Sequence, residues 1–318
     1  MKKRKKSFRK FITVIMILGF ALFIGLEIYS TDIAKYKNIN LEQLNTKLYI
    51  ETADKASSGK LQINWQYMAA IDGVRYKNDF SKANDENVNA LANMFLEKNS
   101  TSIKLKNSDY KLVDLEDVLN KFSFDKNQRE KVYHYIDNLK YTGTQKNNLN
   151  DGSKQEFIKG IYQQAANIYD KYGVLPSLTI SQAILESGWG KSELSVKAHN
   201  LFGIKADTSW KGQKVKMNTS EYYNKKIIDQ FRVYNSNEES IMDYGEFLKN
   251  NKRYQQSGVF KATQYLEQSK AIEKSGYSTV ENDKGEDIYA KLLIEIIQEQ
   301  NLQLLDYECE MNYFNKNK

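Results

Sequence analysis

The chain has 318 residues, enough for two domains of ordinary size, and 41% hydrophobic residues, enough to bury their cores. A single cysteine excludes a disulfide-stapled miniprotein, and two histidines argue against a histidine-built metal site or a Cys–His nucleophile. We therefore expect a folded protein that needs no cofactor.

The net charge of +7 arises entirely at the N-terminus. Residues 1–10 hold seven cations, and subtracting these from the 47 basic residues leaves 40, which equals the 40 acidic residues. Because the rest of the chain is formally neutral, the basic balance predicts no nucleic-acid partner.

An almost wholly apolar segment follows the basic residues 1–10, and residues 11–29 are predicted to anchor the chain in the cytoplasmic membrane. Its 16 to 18 apolar residues would span about 24 to 27 Å as a helix, close to the ~30 Å hydrocarbon core. A cleaved signal peptide is the alternative, but no small-x-small cleavage site follows. The positive-inside rule predicts a cytoplasmic N-terminus and an extracytoplasmic remainder. The absence of disulfides there favours a Gram-positive envelope.

Residues 31–145 read as a helical extracytoplasmic domain of unknown role. Apolar residues at helical spacing predict helices after Asn84, after Asp114 and from about Asn127, and residues 63–71 form an aromatic core segment. No acid pair or ligand cluster is evident, so this domain is expected to space or position its neighbour. A polar stretch at 146–152 is the predicted linker.

The second domain is predicted over residues 153–306, followed by a polar tail at 307–318 that contains Cys309. Ser153 and Glu156 form a capping box before an amphipathic helix that Gly173 closes. Pro176 then opens a second helix, which is apolar on nearly every side and therefore predicted to be buried.

Glu186 lies in the last turn of this apolar helix, four residues after Gln182 and on the same face. Burial and the negative end of the helix dipole both disfavour the ionised carboxyl, so its pKa is expected to be raised. A carboxyl of raised pKa suits a general acid that protonates a leaving-group oxygen. The structural alternative is a helix-end glutamate in a salt bridge with Lys191.

A change of period downstream predicts a β-hairpin, with strands near residues 214–217 and 227–234 and with Glu221 on the first strand. Two carboxylates on different elements, with aromatic residues around them, suggest a carbohydrate cleft. The aromatic residues of this region are Trp189, Trp210, Tyr222 and Tyr223.

Five ordered motifs over about 150 residues resemble those of the bacterial endo-β-N-acetylglucosaminidases of glycoside hydrolase family 73. They are Ala-Ile-Leu-Glu-Ser-Gly-Trp-Gly-Lys-Ser at 183–192, Asn-Leu-Phe-Gly-Ile-Lys at 200–205, Thr-Ser-Glu-Tyr at 219–222, Phe-Arg-Val-Tyr at 231–234 and Gly-Tyr-Ser-Thr at 276–279.

The resemblance implies a mainly α, lysozyme-like fold in which a helical lobe and a small β-lobe flank a groove for peptidoglycan strands. It implies Glu186 as the acid, Glu221 as the β-lobe carboxylate and Tyr277 as the active-site tyrosine. Substrate contacts are then expected from Trp189, Asn200, Phe202, Trp210 and Tyr222, although simple packing is an equal alternative for Trp189, Phe202 and Trp210.

One departure from the family pattern concerns Tyr289. Members commonly have Asp-Pro and then a second tyrosine shortly after the tyrosine motif, whereas a polar insertion at 280–287 precedes Tyr289 here. We therefore assign Tyr289 no role from the sequence.

Three functions stay open: a membrane-anchored glucosaminidase for wall remodelling or autolysis, a muramidase or lytic transglycosylase on the same polymer, and a silent wall-binding protein. The presence of both Glu186 and Glu221 argues against the silent protein. The sequence does not reveal whether a membrane partner regulates the enzyme.

Overall fold

The computed structural model describes residues 37–99, 105, 108–140, 152–221 and 225–316, with the backbone alone over 219–221 and 225–227. It is mainly α-helical, as predicted, with two short antiparallel hairpins. The N-terminal unit, residues 37–140, contains α1 (Thr46–Ser57), α2 (Trp65–Arg75), α3 (Asp85–Ala92), β1 (Leu96–Lys98), β2 (Tyr110–Leu112), α4 (Leu115–Asn120) and α5 (Lys126–Lys140).

The C-terminal unit, residues 152–316, carries the remaining elements. They are α6 (Gly152–Tyr172), α7 (Pro176–Ser187), α8 (Glu193–Ala198), β3 (Lys214–Glu221), β4 (Lys225–Arg232), α9 (Asn237–Asn250), α10 (Lys252–Ser257), α11 (Tyr265–Lys274), α12 (Tyr289–Glu299) and α13 (Gln303–Lys316).

The three helices predicted in the N-terminal unit are confirmed as α3, α4 and α5. Asn84 caps α3 through its side chain, whereas the Asp114 side chain makes no capping hydrogen bond to α4. The aromatic segment forms α2, whose Trp65 and Met68 are fully buried in the unit's core. The small β1–β2 hairpin was not predicted, because three-residue strands are too short to show alternation.

The predicted hairpin of the C-terminal unit is confirmed, with β3 and β4 paired from Lys214 opposite Arg232 to Glu221 opposite Lys225. Pro176 is the first residue of α7, where its missing N–H costs no intrahelical bond. Helix α6 begins at Gly152, so Ser153 lies within the helix and not at its cap. Packing of α7 against α6, α12 and α13 buries nearly all of its surface.

The C-terminal segment is not the polar tail predicted for 307–318. Residues 303–316 form α13, and Tyr307, Met311 and Phe314 are buried against Leu61 and Leu112 of the N-terminal unit. Polar residues outnumber apolar ones over 307–318, but Tyr307, Met311 and Phe314 recur every three or four residues and share one face. Cys309, which lies in this segment, is partly buried near the Tyr162 hydroxyl.

Buried polar contacts join the two units. The Tyr265 hydroxyl donates to Oδ2 of Asp54, and Nε2 of Gln298 donates to the same oxygen at 3.2 Å. The Gln62 N–H donates to Glu310 Oε2 at 2.9 Å, and the Trp65 indole donates to Asn301 Oδ1 at 3.2 Å. Asp54 and Glu310 are buried, so in the folded chain these hydrogen bonds replace the water that the contact between the units excludes from both carboxyls.

No helix within the described ranges is long and apolar enough to span a membrane. The basic segment 1–10, the predicted anchor at 11–29 and most of the predicted linker at 146–152 lie outside the described residues.

Candidate active site

Glu186 stands in the last turn of α7, where the buried helix reaches the surface of the C-terminal unit. Gly188 ends the helix in the left-handed conformation, with φ of 56°, and its N–H donates to the Ile184 carbonyl. Trp189 and Gly190 continue with positive φ, which turns the chain sharply away. This abrupt turn leaves Glu186 exposed at the open end of an otherwise buried helix.

The Glu186 carboxyl combines solvent access with partial desolvation. Exclusion of water from part of the carboxyl raises the pKa of Glu186 above its ordinary value, and a hydrogen bond from Tyr289 opposes the rise. Lys191 is not among the groups that shift this pKa, and the described residues show no salt bridge between the two side chains. Burial of the helix therefore influences Glu186 as predicted, although the residue itself is not buried.

Tyr289 is the direct partner of Glu186, a contact the sequence did not predict. Its hydroxyl donates to Oε1 of Glu186 at 2.5 Å. The polar insertion before it closes on itself, since the Asn282 N–H donates to the Glu286 carbonyl and the Ile288 N–H donates to the Val280 carbonyl. The insertion therefore projects as a compact loop and leaves Tyr289 at the first position of α12, facing the end of α7.

Tyr277 lies beside this pair without touching the carboxyl. Its hydroxyl donates to the Phe202 carbonyl at 3.2 Å, and its ring stacks on that of Tyr289 at 5.7 Å between centroids and an interplanar angle of 18°. In this structure Tyr277 therefore packs on Tyr289, and its hydroxyl bonds the Phe202 carbonyl and not the Glu186 carboxyl. Its catalytic role stays a prediction.

Asn200 and Phe202 are both buried, and their predicted substrate contacts stay predictions. Asn200 Nδ2 donates to the carbonyls of Ile204 and Arg232 at 2.9 and 3.0 Å, and Oδ1 accepts from the Ile204 N–H. The Phe202 ring stacks on Tyr244 at 4.0 Å. Asn200 thus joins the 200–204 loop to the end of β4, and both residues build the wall behind the site.

Trp189 and Trp210 are partly exposed and packed on one side. Trp189 meets the Phe157 ring edge-on at 6.1 Å, with the Lys154 ammonium 5.1 Å from its ring centroid. The Trp210 indole donates to the Gln213 carbonyl, and the Arg232 guanidinium lies 4.7 Å from its ring. Both retain open surface, so either stacking on a sugar or packing alone agrees with their positions.

Glu221 is the last residue of β3, opposite Lys225, and its side chain is not among the described atoms. Tyr222 lies outside the described residues. The structure thus places one of the two predicted carboxyls.

Two further residues near Glu186, Gln182 and Tyr244, were assigned no role from the sequence. Gln182 Nε2 donates to the Tyr289 hydroxyl at 3.0 Å, and the Tyr244 hydroxyl donates to Gln182 Oε1. One indication of this contact was present in the sequence: Gln182 and Glu186 share a face of the same helix. The tyrosines come from α9 and α12, 58 and 103 positions beyond Glu186, and only the tertiary fold brings them to α7.

Comparison with known proteins identifies relatives of the C-terminal unit. A family model described as mannosyl-glycoprotein endo-beta-N-acetylglucosaminidase matches residues 162–302. Exo-glucosaminidase LytG of Bacillus subtilis is 39% identical over 161 residues, which cover 48% of this chain and 54% of that protein. Probable N-acetylmuramidase of Lactococcus lactis is 42% identical over 101 residues, which cover 30% of this chain and 23% of that protein.

Peptidoglycan hydrolase FlgJ of Salmonella typhimurium is 34% identical over 155 residues, which cover 46% of each chain. The chain therefore spans about half the length of LytG and FlgJ. A solved, C-terminally truncated glycoside hydrolase domain of Salmonella typhimurium FlgJ is 34% identical, with 46% of this chain and 97% of that chain covered and a TM-score of 0.38. Through residues 162–302, the chain belongs to the glucosaminidase family of glycoside hydrolases, family 73.

Proposed function

We propose that the chain is a membrane-anchored peptidoglycan hydrolase that cleaves the β-1,4 bond between N-acetylglucosamine and N-acetylmuramic acid, with Glu186 as general acid. The observation that carries the proposal is the Glu186 carboxyl itself, open to solvent, raised in pKa and held by Tyr289. An acid of raised pKa stays protonated closer to neutral pH, so it can deliver a proton to the leaving oxygen.

The similarity to family 73 supports peptidoglycan as the polymer, since LytG and FlgJ carry the names exo-glucosaminidase and peptidoglycan hydrolase. A glucosaminidase would cleave on the reducing side of N-acetylglucosamine. The second candidate is cleavage on the muramic acid side, supported by the resemblance to a probable N-acetylmuramidase.

Proton transfer from Glu186 would leave a carboxylate, and the Tyr289 hydroxyl is positioned to stabilise it. Burial and the charge of Glu186 both raise the pKa of Tyr289, so the hydroxyl keeps its proton at neutral pH. In this proposal Glu221 activates water or stabilises the oxocarbenium ion from the β-lobe. Two carboxyls about 5 to 5.5 Å apart would indicate a covalent intermediate, and about 6.5 to 9.5 Å would indicate inversion. We expect the wider range, or a still wider one with substrate assistance by the 2-acetamido group.

The test is digestion of purified peptidoglycan by the full chain, followed by mass spectrometry of the reduced products. A glucosaminidase leaves N-acetylglucosamine at the new reducing end, a muramidase leaves muramic acid, and a transglycosylase leaves an anhydro end. Muramic or anhydro ends would overturn the assigned bond and favour the second candidate.

The role of Glu186 is tested with Glu186→Gln, which keeps the shape of the side chain and removes the proton. We expect a rate loss of about 10² to 10⁴. The matched control is Glu193→Gln, an exposed glutamate whose ion pair with Lys197 contributes little to stability. Substantial activity in a folded Glu186→Gln variant would overturn the assignment.

A further inference from the structure

A chain of hydrogen bonds leads from the protein interior to Glu186. The Tyr244 hydroxyl donates to Gln182 Oε1, Gln182 Nε2 donates to the Tyr289 oxygen, and the Tyr289 hydroxyl donates to Glu186 Oε1. Gln182 and Tyr244 are both fully buried, so neither can exchange these partners for water. We call these four residues the relay.

The relay has a fixed direction. An amide oxygen only accepts and an amide nitrogen only donates, so the proton of Tyr244 must point to Gln182 Oε1. Gln182 then presents Nε2 to Tyr289, whose oxygen accepts that bond. The single hydroxyl proton of Tyr289 is left for Glu186, where the ionised carboxylate can only accept.

We propose that Gln182 is a positioning residue for Glu186: its amide, oriented by Tyr244, directs the Tyr289 proton onto Oε1 and leaves Oε2 to carry the proton that the acid delivers. This inference rests on the proposed function only in calling Glu186 the acid. The orientation of the relay itself is independent of the substrate.

The relay has two consequences for the chemistry. Because Oε1 already accepts from Tyr289, the transferable proton occupies the oxygen that the relay does not touch. Hydrogen bonds in a chain polarise one another, so donation by Gln182 strengthens the bond that stabilises the carboxylate. The relay therefore limits the rise in the Glu186 pKa that desolvation produces.

Three tyrosines are the titratable groups that interact with the charge of Glu186 among the described side chains: Tyr244 of α9, Tyr277 before α12, and Tyr289 of α12. Burial raises the pKa of each tyrosine well above its ordinary value, so all three stay neutral through the range in which Glu186 titrates. A change in the Glu186 titration below pH 8 is therefore not caused by their ionisation.

The experiment compares Gln182→Met, Tyr289→Phe and the double variant in the full chain. The Glu186 pKa is measured by carboxyl ¹³C NMR without substrate, and the signal is assigned by its loss in Glu186→Gln. Tyr289→Phe should raise the Glu186 pKa by on the order of one unit, because the donor to the carboxylate is removed. Gln182→Met should raise it less, and the double variant no more than Tyr289→Phe alone.

The buried control is Gln268→Met. Gln268 is fully buried and its amide bonds only backbone groups, namely the Leu175 N–H and the carbonyls of Gly173 and Val259. It should lower the melting temperature without moving the Glu186 titration. If Gln182→Met does not fold, Tyr244→Phe takes its place. This variant removes the hydroxyl that donates to Gln182 and keeps the ring, and it should also raise the Glu186 pKa.

An unchanged Glu186 pKa in folded Gln182→Met, or additive shifts in the double variant, would overturn the relay. In kinetics, the basic limb of the kcat/KM profile should move to higher pH together with the NMR pKa. Failure of the proposed function gives a different result: peptidoglycan is not cleaved, or Glu186→Gln stays active, while the NMR titration still reports the relay.

Discussion

Asp306 links the stability of helix α7 to pH. Helix α7 starts after Leu175, which has no side-chain acceptor, and Asp306 of α13 supplies one: Oδ1 accepts from the Ser177 N–H at 2.8 Å and Oδ2 from the Ser177 hydroxyl at 2.5 Å. Asp306 is 1% exposed, and burial raises its pKa from 3.8 to about 7 despite these hydrogen bonds. Burial also raises the pKa of the nearby Asp54, to about 6.

The sign of the effect follows from proton binding. Between pH 4 and 7 the folded chain keeps a proton on Asp306 that the unfolded chain releases, so stability falls as pH rises through this range. A shift from 3.8 to about 7 corresponds to roughly 4 kcal/mol at 1.36 kcal/mol per unit. Asp306→Asn keeps the shape and cannot ionise, so this loss should disappear.

The assay is urea unfolding of both proteins at pH 4 and pH 8. At each pH, the unfolding free energy of the parent chain is subtracted from that of Asp306→Asn. This difference should be larger at pH 8 than at pH 4, by at most about 4 kcal/mol. Asp170→Asn, an exposed position on α6, controls for the loss of one negative charge. A parent–variant difference that is equal at both pH values would refute the reasoning.

Three other outcomes are expected. Asn200→Ala should lower the unfolding free energy by roughly 1 to 3 kcal/mol, because buried backbone groups lose their partner; unchanged stability with weaker substrate binding would restore its predicted substrate role. Gly190→Ala should destabilise more than Gly188→Ala, since both have positive φ but only at Gly190 would a Cβ lie 2.8 Å from the Phe157 ring; equal melting temperatures would contradict this. Protease added to wall-stripped cells should digest the chain beyond about residue 30, whereas mature protein in the medium with a new N-terminus near residue 29 would indicate a signal peptide.

Local patterns in the sequence determined the elements that carry the site. The apolar helix opened by Pro176 and the β-hairpin with Glu221 on its first strand were both predicted, because each follows from neighbouring residues. The ordered motifs likewise identified the family. Glu186 was selected because the apolar helix favours a raised carboxyl pKa in its last turn and because the motif that contains it resembles that of the family.

Only the tertiary structure decided what surrounds Glu186. Tyr289 had no assigned role because the insertion before it obscured its register, and closure of that loop is a property of the fold. Asn200 reads as a polar surface residue until three buried backbone groups surround it. The C-terminal segment was predicted as a polar tail although Tyr307, Met311 and Phe314 recur at helical spacing, because their apolar partners lie more than 190 positions earlier and only the tertiary structure brings them together.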